Sequence, residues 1–215
     1  MINIKWIQAA VFPCFLMFFI SAVVPAQAAG MVETYKDYQH QFLVDLPAGW
    51  SAYEQMKAIT GKSSPNGMVI FSKEDISKME IQDQLKTMAN ADTGAIPSFF
   101  VDRLPKKNKM SCKSFGKKEA KSVLKLIKKD KMFSRDRKII APLETSFISF
   151  GGCEGIRIKG ETEKQDGTRW VIDIHAASDG KILYLFTLRN IKNNYEKNLG
   201  IYEEAMSTVK LTSTE

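Results

Sequence analysis

The chain has 215 residues, 44% of them hydrophobic, with 31 Lys and Arg against 24 Asp and Glu, which leaves a net charge of +7. Abundant Ile, Leu, Val and Phe after Met31 exclude an intrinsically disordered class, and no later apolar run is long and uncharged enough to cross a bilayer as a helix. The length suits one domain, or one domain with an excursion.

The first residues read as a secretory leader. Lys5 is the only early charge, an apolar run follows through Val23, and Pro25-Ala26-Gln27-Ala28 supplies a helix breaker and a small-x-small cleavage site. The cut is expected after Ala28, with Val23-Val24-Pro25-Ala26 as a second candidate. An uncleaved anchor is the rival, because the run approaches the ~18 residues a spanning helix needs, but Gln8 and Pro13 interrupt it. Cys14 fits a lipid anchor poorly, since Val11-Phe12-Pro13-Cys14 lacks a small residue before the cysteine. Residues 1–28 are therefore expected to be a signal peptide. Residues 29–215 would then form one exported domain, periplasmic or secreted, of about 187 residues and net charge near +6.

Along this domain, Phe42 to Leu46 reads as a strand closed by Pro47-Ala48-Gly49, and Gly67 to Ser72 as another after a Ser64-Pro65-Asn66-Gly67 turn. Ser77-x-x-Glu80 has capping-box spacing, and Met79, Ile81, Leu85 and Met88 predict a helix to about Asn90. From Arg103 to Lys138 the composition changes to a basic excursion, in which lysines and arginines face only Glu119, Asp130 and Asp136. Within it Ala120, Val123, Leu124 and Ile127 fall on one helical face, so a packed helix with a basic outer side is predicted. Later, Gln165-Asp166-Gly167-Thr168 and Ser178-Asp179-Gly180-Lys181 are hairpin turns joining strands at 155–163, 168–177 and 181–189. A strand at Ser146 to Phe150, turning at Gly151-Gly152, precedes them. Ile182 to Leu188 is apolar on both faces and should be central. A last helix carries Tyr195, Leu199, Tyr202, Met206 and Val209 on one side, with Asn193-x-x-Glu196 as its cap. Together these elements predict an α+β fold, a central antiparallel sheet flanked by helices.

The stretch Tyr35 to Trp50, in which a tyrosine precedes a strand ending in Pro47-Ala48-Gly49-Trp50, resembles the opening of proteins with the PsbP-like (Mog1/PsbP) fold. The ending resembles it too: Gly151-Gly152, the apolar strand Ile182 to Leu188, then Asn194-Tyr195 opening a helix that finishes at Val209-Lys210-Leu211. The resemblance covers both ends of the domain and not its basic middle. It implies an α/β/α sandwich, and relatives that assist other proteins, such as photosystem accessory subunits and a partner of a small GTPase. No residue set carries over from it as a site.

Three constellations carry chemistry. Asp173 and His175, two apart on a strand, share a face opposite Trp170, Ile172, Ile174 and Ala176; they are half of a hydrolytic site or, in the plainer view, a polar pair on the wetter face of the sheet. No elbow serine, zinc-binding helix motif, phosphate loop or Cys-x-x-Cys completes them, so no catalytic residue, metal or cofactor is expected and His40 stands isolated. Gly151-Gly152 and Gly155 lie between strands and suit a tight turn rather than a phosphate cradle. Cys112 and Cys153 can pair in an oxidising compartment, closing a loop of roughly 40 residues worth about 4 kcal/mol, or remain separate thiols.

The third constellation is Lys117, Lys118, Lys121, Lys125, Lys128, Lys129 and Lys131. These are either a solvated helix face or a contact for an anionic partner. The first expectation is an exported, non-enzymatic accessory protein that binds another protein; anionic envelope lipid is the alternative partner, and nucleic acid ranks last because no aromatic-basic stacking motif is present.

Overall fold

The computed structural model describes residues 31–37, 42–54, 57, 68–73, 75–80, 82–83, 97–105, 112–113, 115–129, 133 and 137–212. The expected leader with its expected cleavage site at Ala28, His40, Lys131, the turn expected at Ser64 to Gly67 and most of the helix expected up to Asn90 lie outside them.

Among the described residues, two α-helices and eleven strands run in the order β1 (Met31–Lys36), β2 (Phe42–Pro47), β3 (Ser51–Glu54), β4 (Val69–Ser72), β5 (Ser98–Pro105), α1 (Lys117–Lys129), β6 (Arg137–Ile139), β7 (Glu144–Phe150), β8 (Cys153–Lys164), β9 (Arg169–Ser178), β10 (Ile182–Ile191), α2 (Lys192–Thr208) and β11 (Lys210–Leu211). All pairings are antiparallel. The large sheet has the order β3-β4-β5-β10-β9-β8-β6, with β7 also on the outer flank of β8, and β1-β2-β11 form a small second sheet. This is the expected α+β sandwich, and β10 is central, lying between β5 and β9.

Local chemistry accounts for the meander. At the β8–β9 turn Gly167 takes φ 81°, its N–H reaches the Lys164 carbonyl at 3.0 Å, and the Asp166 carboxylate accepts from Thr168 N at 2.8 Å. At the β9–β10 turn Gly180 takes φ 103°, while Asp179 Oδ1 accepts from the N–H groups of Lys181 and Ile182, each at 2.8 Å. A side-chain oxygen that ties two successive amides fixes the hairpin and its register.

The sheet is covered on both faces. On one side α2 and the small sheet bury an aromatic-rich core: Phe42, Phe71, Phe99, Phe150, Tyr184 and Phe186 beneath Tyr195, Tyr202 and Met206. Phe71 and Phe99 stack at 4.7 Å, and Phe150 meets Phe186 edge-on at 5.0 Å; such pairs add about 0.5–1.5 kcal/mol each beyond burial. On the other side α1 lays Ala120, Val123 and Ile127 on an aliphatic patch of Ile156, Ile158, Ile172, Ile174 and Leu185.

Two cap assignments change. Asp75, not Ser77, caps a single 3-10 turn at Ile76–Lys78, because its carboxylate accepts from Ser77 N at 3.1 Å; Gln82 and Asp83 further on are helical. Helix α2 opens directly from β10, with Ile191 at its N-cap and no side-chain cap, so the Asn193–Glu196 box does not form. A strand that runs straight into a helix leaves no loop residue to serve as the cap.

Candidate functional site

Helix α1 begins where the Ala120 amide bonds back to the Gly116 carbonyl at 3.0 Å, and Glu119 in its first turn accepts from Gly116 N at 3.0 Å. That carboxylate suits the positive end of the helix dipole, as Lys128 and Lys129 suit the negative end. Lys117 and Lys118 sit at the wrong end for their charge. The apolar face is consumed by the sheet, with Ala120, Val123 and Ile127 buried and Leu124 partly so, and Lys117, Lys118, Lys121, Lys125, Lys128 and Lys129 are all exposed. Lys117, Lys121, Lys125 and Lys129 recur every four residues and so form one ridge. Each like-charged neighbour pair costs about 0.2–0.5 kcal/mol. A shallow groove of about 390 Å³ runs along it, lined by Lys117, Lys118, Lys121, Ser122 and Lys125.

The approach to α1 is tied to the start of β8. Cys112 and Cys153 form a disulfide with Cα atoms 4.7 Å apart, Glu154 N donates to the Cys112 carbonyl at 2.9 Å, and Phe115 N donates to the Glu154 carboxylate at 3.1 Å. Beside this anchor a second groove, of about 490 Å³, lies between the start of α1 and strand β7 and is lined by residues that include Phe115, Lys117, Phe147 and Glu154. Lys117 belongs to both grooves, so the ridge and the sheet edge are continuous.

Asp173 and His175 occupy a different setting from the wetter face expected of them. Helix α2 covers that face, and the two residues are 1% and 7% exposed. Asp173 accepts from Arg157 through Nε at 3.0 Å and Nη2 at 2.5 Å, and from the Tyr195 hydroxyl at 2.7 Å. Burial raises the Tyr195 hydroxyl pKa, and the Asp173 carboxylate raises it further, so Tyr195 stays a donor. His175 Nε2 stands 3.8 Å from Asp173 Oδ1, its Nδ1 has no hydrogen-bond partner among the described residues, and Phe150 packs on its ring at 5.2 Å. Burial pushes its pKa down to about 4; Asp173 opposes that shift and Arg157 adds to it. The imidazole is therefore neutral near pH 7.

A carboxylate already engaged by a guanidinium and a phenol holds β8, β9 and α2 together rather than offering a base. Arg157, 29% exposed, surfaces in a groove of about 310 Å³ shared with Glu144, Lys159 and Glu203, where the charges are mixed. Sequence reasoning missed Arg157 and Tyr195 as partners of Asp173. The available signal was Val171 and Ala177, apolar residues at the two ends of the same strand face. Among the described residues no group of three or more His, Cys, Asp and Glu side chains is placed to hold a metal ion.

The class these elements define is an α+β sandwich with a helix on each face of an antiparallel sheet. No family model matches the chain, and no curated protein does. Two solved structures are similar to it at 12% identity and TM-score 0.48. One is the solution structure of a cyanobacterial PsbP (CyanoP) from Synechocystis sp. PCC 6803, with 84% of this chain and 92% of that chain covered. The other is a crystal structure from Bacteroides thetaiotaomicron VPI-5482, with 86% of this chain covered; the match spans about half, 50%, of that longer chain.

Proposed function

We propose that this is an exported, non-enzymatic accessory protein that binds a partner protein by seating an acidic surface on α1. The observation that carries the reading is the ridge of exposed lysines on a helix whose opposite face is buried. Unfavourable i,i+4 pairs and two lysines against the dipole together cost about 1 kcal/mol or more, with no compensating carboxylate on the ridge among the described residues. Such local conflicts are characteristic of functional surfaces. The leader-like first residues and the disulfide between Cys112 and Cys153 both suit an oxidising compartment outside the cytoplasm. The buried, saturated state of Asp173 weighs against the hydrolytic alternative.

Anionic envelope lipid is the second reading, since each well-placed lysine contributes roughly 1 kcal/mol at an anionic surface. A protein partner is favoured because Ala120, Val123 and Ile127 face the sheet, which leaves α1 no apolar side to enter a bilayer. Crosslinking in envelope extract, with wild type beside a Lys121→Glu/Lys125→Glu/Lys128→Glu variant, tests the first reading. Co-sedimentation with anionic and neutral vesicles across a salt series tests the second.

A further inference from the structure

The two edges of the large sheet are protected unequally. At one edge β3 is only four residues long, Ser51–Glu54, which is a common way to blunt an edge. At the other, β7 runs seven residues from Glu144 to Phe150, pairs on its inner side with β8, and has no strand on its outer side among the described residues. From Thr145 to Phe150 it carries neither charge nor proline, the usual defences of an exposed edge. All three large exposed apolar side chains among the described residues are at this flank: Phe147 on β7 at 57%, Ile139 on β6 at 41% and Ile140 next to it at 36%. Phe147 lies opposite Ile156 in the register, hence on the α1 side of the sheet, where it lines the 490 Å³ groove with Phe115 and Lys117.

We propose that β7 receives an extended acidic segment of a partner protein as an added antiparallel or parallel strand. Main-chain hydrogen bonds to the open edge would supply affinity, an apolar side chain would enter the groove between Phe115 and Phe147, and carboxylates two residues to either side would meet Lys117 and the ridge behind it. This rests on the reading of α1 as a partner-binding face and specifies how the partner lies there. The charge decides the occupant. A second copy paired through β7 about a twofold axis would bring two Lys117 ridges together on one side of the joined sheet, and like charges so placed repel. An acidic strand turns the same geometry into attraction. Glu154, the carboxylate in the groove, is engaged by the Phe115 amide.

The probe is a capped, fluorescent peptide with aspartate, phenylalanine and aspartate at alternate positions and threonines between, followed by anisotropy; the control replaces aspartate by lysine. The acidic peptide is expected to bind and the lysine peptide not. Phe147→Thr, at an exposed strand position whose thermal melt should match wild type, weakens binding roughly tenfold. N-methylation along one backbone edge of the peptide abolishes binding, and along the other edge leaves it intact. Binding that is lost in Lys121→Glu/Lys125→Glu, yet indifferent to Phe147→Thr and to N-methylation, overturns strand addition while the α1 reading stands. No binding by wild type overturns strand addition too, and crosslinking then judges the α1 reading by itself. A concentration-dependent dimer in sedimentation that Phe147→Thr dissolves would show a second copy on the edge and overturn the proposal.

Discussion

The two helices do the same structural job on opposite faces of one sheet, and they do it with different chemistry. Helix α2 buries tyrosines: Tyr195 donates to Asp173, and the Tyr202 hydroxyl accepts from Asn190 Nδ2 at 2.9 Å and Ser98 N at 3.3 Å. These hydroxyl and carboxylate contacts are internal and rigidify the core, although His175 Nδ1 on the same side has no hydrogen-bond partner among the described residues. Helix α1 buries only aliphatic residues and sends its charge outward, with no carboxylate pairing along the ridge among the described residues. The side with the richer polar chemistry carries the internal network, and the side with the plainer core presents the charged surface to which the proposal assigns partner binding.

Breaking the α2 side should have the largest effect. Asp173→Ala strands the Arg157 guanidinium and the Tyr195 hydroxyl, and urea unfolding should register a loss of about 3–5 kcal/mol. Next comes the pH dependence of His175. Its pKa is near 4 in the folded protein and near 6.5 when unfolded, so the unfolded chain binds the proton first. Stability should therefore fall as pH drops from about 6.5 to about 4, by up to about 3 kcal/mol from this group, and change no further on its account below that. His175→Gln should remove that part of the slope in urea midpoints taken across the range. On the α1 side, Lys121→Glu with Lys125→Glu should leave stability within about 0.5 kcal/mol of wild type or raise it slightly, because repulsion along the ridge is relieved. An equal loss of stability from both sides would erase the contrast.

Much of the second half of the fold was legible because its signals are local. Gly167 and Gly180 mark turns, Ile182 to Leu188 announces a central strand, and the spacing from Ala120 to Ile127 gives α1 with its buried face. Strand β5 was not legible. Its Phe99-Phe100-Val101 core merges in sequence into the basic stretch, and Arg103 reads as one more surface cation. In the structure Arg103 is 2% exposed and pairs with Asp37, 66 residues away. Arg137, at the far end of the stretch, is likewise buried on β6, its guanidinium 4.1 Å above the Trp170 ring. Long-range pairing of this kind leaves no periodic trace. The burial of Asp173 was hidden for the same reason, since it depends on Arg157 and Tyr195 arriving from β8 and α2. The edge at β7 was partly visible: Ser146 to Phe150 read as a strand, but nothing local says that no described strand pairs with its outer side.

The most direct test of the central claim is crosslinking in envelope extract with wild type and the Lys121→Glu/Lys125→Glu/Lys128→Glu variant side by side. Recovery of one abundant protein by wild type, lost in the equally stable variant and weakened by salt, is the predicted result. Equal recovery of the same protein by both forms would contradict the claim that α1 is the binding face.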